Sequence, residues 1–199
     1  SDLITQDSPA ASTGTVNGNI LLENGGLIRG GKNGTAVAIV GGAENQIVSD
    51  GALDPEDDAI IRTAGTVMDT VLTATSGNDA VRNLHGAIMI GSVHLGAGLN
   101  SFLNGADAYF LAGGEIYLGA GNTLTNDGYL SLGGLDAVMN DGGTDAILNA
   151  RTTYGPTLLT GNFAQGAMGQ MLTNLNFATS IGRADYADLL HVTGNAVLD

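Results

Sequence analysis

The chain contains no cysteine, which removes disulfides, thiolate metal sites and cysteine nucleophiles from consideration. Tryptophan is absent and aromatic residues make up only 5%, so a core must be filled mainly by Ala, Val, Ile and Leu. Basic residues are scarce as well: six Lys and Arg against twenty Asp and Glu give a formal net charge of -14. Such a chain repels phosphate backbones and anionic lipid headgroups, which argues against nucleic acid and membrane surfaces as partners. No apolar run approaches the roughly 20 residues that a membrane-spanning helix requires. The opening Ser1-Asp2-Leu3-Ile4-Thr5-Gln6 lacks the basic and apolar regions of a signal peptide. The last residues, Ala196-Val197-Leu198-Asp199, break off within an apolar alternation, and the two ends together read as those of an excised fragment.

What the chain does have is glycine and small apolar side chains. The 32 glycines point to many tight turns. The 43% hydrophobic content and low charged fraction (13%) point to a packed fold and away from disorder. Internal repeats organise it. Leu95-Gly96-Ala97-Gly98 returns 23 residues later as Leu118-Gly119-Ala120-Gly121. Asn83, Asn104, Asn126 and Asn149 follow one another at 21, 22 and 23 residues, and Asn78, Asn100 and Asn122 at 22 and 22.

Between these marks lie short segments such as Ala87-Ile88-Met89-Ile90, Ser92-Val93-His94-Leu95, Glu115-Ile116-Tyr117-Leu118 and Tyr129-Leu130-Ser131-Leu132. Several alternate apolar with polar at period two, as half-buried strands do. Asn-Gly, Asp-Gly and Gly-Gly pairs supply corners that tolerate positive φ. The best helix candidate is Pro55 to Met68, with Asp54 as its cap. A strand-only repeat of about 22 residues is the size of one coil of a parallel β-helix, whose coils must stack to bury their inward side chains. The expected fold is therefore all-β: a right-handed parallel β-helix (β-solenoid) with coils of about 21–23 residues. At that length the 199 residues make roughly nine coils, and the Asn83, Asn104, Asn126, Asn149 series should stack at one corner. Leucine-rich and propeller repeats fit less well, because their spaced-Leu and Trp-Asp signatures are missing.

Three stretches resemble the passenger domains of bacterial autotransporters, the surface proteins of type V secretion. They are Leu118 to Gly134 (LGAGNTLTNDGYLSLGG), Leu158 to Gly169 (LLTGNFAQGAMG) and Ala184 to Asp199 (ADYADLLHVTGNAVLD). The resemblance covers about Ser76 to Asp199; the first 75 residues share only the general composition. It implies export through an outer-membrane barrel, absent from this chain, and display at the cell surface. It also implies that the last coils of the rod are its most stable part. On that basis residues 1–156 are expected to form the stem and residues 157–199 the C-terminal stabilising coils, with Leu158, Leu159, Phe163, Met168, Met171, Leu172, Leu175, Phe177, Leu189, Leu190, Val192 and Val197 as their core. Absence of cysteine suits such an exported chain.

No residue set in the sequence forms a convincing catalytic, cofactor or metal site. Gly77-Asn78-Asp79, Gly133-Gly134-Leu135-Asp136 and Gly142-Gly143-Thr144-Asp145 are similar to the calcium nonapeptide of RTX proteins, but without its third Gly or its nine-residue spacing. Asp54, Glu56, Asp57 and Asp58 are the densest acidic cluster, the sort of carboxylate pairing that carbohydrate-active β-helix enzymes use, with Arg62 as the only base beside them. His85, His94 and His191 lack metal-ligand spacing, and His191 should point outward between Leu190 and Val192. Ser76 and Ser131 sit in no nucleophile elbow. Asn33-Gly34-Thr35 matches a glycosylation sequon, and Gly30 to Thr35 departs from the spacing of a phosphate loop. The functional expectation is a structural and adhesive rod, not an enzyme, meeting host-cell or matrix surfaces or neighbouring cells. The alternatives are a carbohydrate-active enzyme and a calcium-binding module.

Overall fold

The computed structural model describes residues 2–5, 18–32, 34–54, 59–63, 69–132, 156–173 and 187–199, and the side chains of all these except 2–5. The chain enters on β1 (Asp2–Thr5). The first coil is β2 (Leu21–Asn24), β3 (Leu27–Gly30) and β4 (Val37–Val40), and the second is β5 (Glu44–Asp50), β6 (Ile60–Thr63) and β7 (Thr70–Thr73). The next two need only two strands each, β8 (Asn78–Leu84) with β9 (Ile88–His94) and β10 (Ser101–Asn104) with β11 (Tyr109–Tyr117). Then follow β12 (Thr123–Asn126), β13 (Tyr129–Ser131) and β14 (Pro156–Thr160), and β15 (Asn162–Gln165), β16 (Gln170–Leu172) and β17 (Leu189–Val192), before β18 (Ala196–Leu198).

Every strand pairing runs parallel to the equivalent strand of the next coil. The first strands of the coils make one sheet in the order β18-β15-β12-β10-β8-β5-β2. The remaining eleven strands make the other two sides, fused where β9 and β11 run through the corner between them. This is the parallel β-helix that the repeat predicts, built from crossovers for which right-handedness is the rule.

Coil length follows the expectation only in the middle. The register steps by 21 residues from Asn83 to Asn104 and by 22 from Asn104 to Asn126. Elsewhere it steps by 25, 34, 39 and 33. Much of the surplus falls between β6 and β7, β13 and β14, and β16 and β17, at the corner that β9 and β11 round without interruption. These insertions are why the described residues hold six complete coils and not the roughly nine that a uniform repeat gives. The Pro55 to Met68 helix is also corrected. Its centre, Ile60–Thr63, is β6, paired with β3 so that Ile61 reaches the core; residues 55–58 and 64–68 lie outside the described ones.

Inside, each side contributes one row of stacked apolar residues. Leu22, Ile47, Val81, Phe102, Leu124 and Phe163 are successive register partners on the first side. Ile28, Ile61, Met89, Phe110, Leu130 and Met171 line the second. Val37, Leu72, Val93, Ile116, Leu159 and Val192 line the third. Phe102 and Phe110 meet across the interior with ring centroids 4.6 Å apart. A fully buried side chain of this kind is worth roughly 1.5–3 kcal/mol, so the rows supply the stabilisation that no single coil has. Ile88, Ile90 and Leu111 form a separate buried cluster on the outward side of the second sheet face. That stretch is thus covered on both sides, which explains the unbroken apolar run at 87–90.

Candidate functional site

Polar side chains enter the rod at two corners, and there they stack. At the end of the first side, Asn24, Ser49, Asn83, Asn104, Asn126 and Gln165 are successive register partners. Buried amides of this kind cost roughly 1–3 kcal/mol each if left unpaired, and here nearly all are paired. Asn24 Nδ2 donates to Ser49 Oγ (3.1 Å), Asn83 Nδ2 to Asn104 Oδ1 (3.0 Å), Asn104 Nδ2 to Asn126 Oδ1 (2.7 Å) and Asn126 Nδ2 to Gln165 Oε1 (3.1 Å). The second amide proton goes to a backbone carbonyl: from Asn83 to Tyr109, from Asn104 to Tyr129 and from Asn126 to Gln170. An amide both donates and accepts, so it can hand the chain of bonds from coil to coil indefinitely. Between Ser49 and Asn83 the chain breaks, and Asn83 Oδ1 has no partner among the described residues.

Asn83, Asn104 and Asn126 therefore stack as their spacing predicts. Asn149 lies outside the described residues, and the place after Asn126 is taken by Gln165. The second Asn series is out by one residue. Asn100 receives the Asp79 N–H (2.9 Å), while Asn78 Oδ1 accepts from Leu99 N–H (2.8 Å). The second buried row is thus Asn45, Asp79, Asn100 and Asn122, at the start of the first side. Asn45, Asn24, Ser49 and Gln165 escape a sequence search because coils of unequal length hide their common register.

The calcium-like turn at Gly77-Asn78-Asp79 is part of this frame. Asp79 Oδ1 accepts from Asn45 Nδ2 at 2.7 Å, and the side chain points into the rod. Gly133 to Asp136 and Gly142 to Asp145 lie outside the described residues. Among the described residues no three His, Asp or Glu converge as metal ligands. Of the acidic cluster, Asp54 is exposed and Glu56, Asp57 and Asp58 lie outside the described residues, while Arg62 is buried on β6.

The histidines are kept apart. His85 adopts φ 46° after β8 and sets Nδ1 2.9 Å from Asp50 Oδ1. Burial raises the Asp50 carboxyl, but the Ala52 N–H and the His85 ring outweigh it and hold the pKa below the ordinary value. His94 Nε2 lies 3.1 Å from Glu115 Oε2, with the ring edge-on to Tyr117 at 6.5 Å. His191 is exposed on β17, as its alternation requires. Tyr109 and Tyr129 stack on the surface at 4.7 Å and 8°. Ser76 sits in an exposed bend and Ser131 is buried in β13. Gly34 N–H donates to the Gly31 carbonyl in a tight turn, and Asn33 lies outside the described residues. The described polar clusters thus fall into two kinds: buried rows that join coils, and exposed strand faces carrying His94, Glu115, Tyr117 and the tyrosine pair. No family model, no curated protein and no solved structure matches the chain.

Proposed function

We propose that the chain is a passenger segment of an autotransporter, a structural and adhesive β-helix rod without catalysis. It is exported through its own outer-membrane β-barrel and displayed at the cell surface. There it meets host-cell or matrix surfaces, or neighbouring cells, through flat strand faces such as the one bearing His94, Glu115 and Tyr117. The observation that carries this reading is the use of the buried polar side chains: the amide row from Asn83 to Gln165 runs along the axis and joins coil to coil. Such an arrangement suits a rod whose task is to extend and to bear load. The three stretches of autotransporter-like sequence support the export route.

The test has two arms. Antibodies against this chain should label intact cells of the producing organism, and external protease should remove the label. Purified chain on beads should bind host cells or matrix saturably, with EDTA leaving the binding unchanged, and should release no sugar from a polysaccharide panel. A signal found only after lysis overturns the surface assignment. Polysaccharide cleavage overturns the adhesive one in favour of an enzyme, and loss of binding in EDTA overturns it in favour of a calcium module.

A further inference from the structure

The buried row Asn45, Asp79, Asn100, Asn122 holds one carboxyl among three amides. Each amide makes the same local bond. Asn45 Nδ2 donates to the Gly41 carbonyl (3.1 Å), Asn100 Nδ2 to the Gly96 carbonyl (3.3 Å) and Asn122 Nδ2 to the Leu118 carbonyl (2.6 Å). In every case the acceptor is the residue four places earlier, across the corner. For Asp79 that residue is Thr75. Asp79 is 1% exposed, its Oδ1 takes the Asn45 amide, and its Oδ2 is buried with no hydrogen-bond partner. An ionised Oδ2 would set an acceptor where the other three coils set a donor.

We propose that Asp79 keeps its proton in the folded rod to higher pH than an ordinary carboxylate does. Its Oδ2–H then stands in for the missing amide and donates to the Thr75 carbonyl, and the joint between these coils loosens when the proton leaves. The Thr75 carbonyl already accepts the Ala97 N–H (3.0 Å). A second donor there has a precedent, since the Leu118 carbonyl accepts both Asn100 and Asn122 amides.

Among the described residues of the strands and corners packed against Asp79, no charge faces it. On β5, Glu44 and Asp50 lie on the outward side of the strand alternation, and so does Arg82 on β8 itself. Strand β10 and the corner segments 41–43, 74–77 and 95–100 carry no charged residue. Burial raises the Asp79 pKa, and the Asn45 hydrogen bond only partly opposes that. A raised folded-state pKa gives stability that is complete below the unfolded pKa and declines as pH rises through the folded one.

The experiment compares urea midpoints of the wild-type chain and Asp79→Asn from acid to neutral pH. Asp79→Asn restores the amide at the same size, so its midpoint should equal or exceed wild type, with the gap widening as pH rises. Parallel profiles, or a variant weaker at every pH, overturn the proposal. A second measurement needs no variant: the carboxyl 13C resonance of Asp79 in the folded wild-type rod should titrate at higher pH than that of a free Asp. Titration at or below the free Asp, with the rod intact, overturns it equally.

Discussion

The middle coils, β8 to β12, and the last ones, β14 to β18, are built from the same kinds of residue yet differ in what they bury. In the middle, Val81, Met89, Val93, Leu95, Phe102, Phe110, Ile116, Leu118 and Leu124 are all shut off from solvent. Toward the C-terminal end Leu159 and Phe163 are buried, whereas Met168 is 78%, Leu189 59% and Leu198 71% exposed. The large side chains counted as a C-terminal core are thus only partly a core: Met168, Leu189 and Val197 are exposed, Met171 is exposed although it continues the inward row from Leu130, and Leu175 and Phe177 lie outside the described residues. The reason is geometric. A β-helix side chain is covered by the coils before and after its own, so position in the stack and register decide burial as much as hydrophobicity does. Among the described residues β16, β17 and β18 each pair with one strand, β13, β14 and β15.

The sharpest way to break that comparison is Phe110→Ala. The ring is fully buried against Phe102 and stacks between Met89 and Leu130, so its loss should cost roughly 3–5 kcal/mol in denaturant unfolding. Val197→Ala, on an exposed strand, should stay within about 0.5 kcal/mol of wild type. Native-state hydrogen exchange should accordingly be slowest in β8 to β12. Slower exchange after Thr157 would restore the view that the last coils are the stable nucleus.

Next in size is Asn104→Ala. Its amide ties Asn83 to Asn126 and caps the Tyr129 carbonyl, and truncation leaves several buried groups unpaired at roughly 1–3 kcal/mol. Asn162→Ala, at an exposed corner with bonds to Gly121 and Asn195 backbone, should cost about 0.5–1 kcal/mol. Equal losses, read as shifts in the urea midpoint, would mean that the buried ladder counts for no more than an exposed corner amide.

The same contrast explains what could be read without a structure. The fold and coil size were legible between Asn83 and Asn126, because there the coils have minimal length and a single residue type marks the corner. Where insertions lengthen the coils, the period dissolves: Ser49 and Gln165 continue the asparagine row with other chemistry at spacings of 34 and 39 residues. The Asn78 series shows a subtler limit. A spacing of 22 is satisfied by Asn78, yet strand alternation places its neighbour Asp79 inside, and a one-residue shift changes which face a side chain occupies. The outward strand faces leave a weaker mark in spacing, since burial does not hold their side chains to one type.

The smallest effect tests whether the corner between β5 and β8 carries weight of its own. Asp50 is held below the ordinary carboxylate pKa: burial opposes ionisation, and the Ala52 N–H and His85 more than offset it. The sign is therefore opposite to that at Asp79. A depressed folded pKa gives stability that is present above the unfolded value, near 3.9, and lost as pH falls through the folded one. Asp50→Asn should leave a slightly lower urea midpoint at neutral pH and a flatter acid limb, whereas Asp79→Asn should flatten the profile on the side of rising pH. Both carboxyls join the same pair of coils, so the double variant should show the two changes side by side. If Asp50→Asn leaves the acid limb as steep as in wild type, the His85 pairing at 2.9 Å contributes nothing to holding that corner.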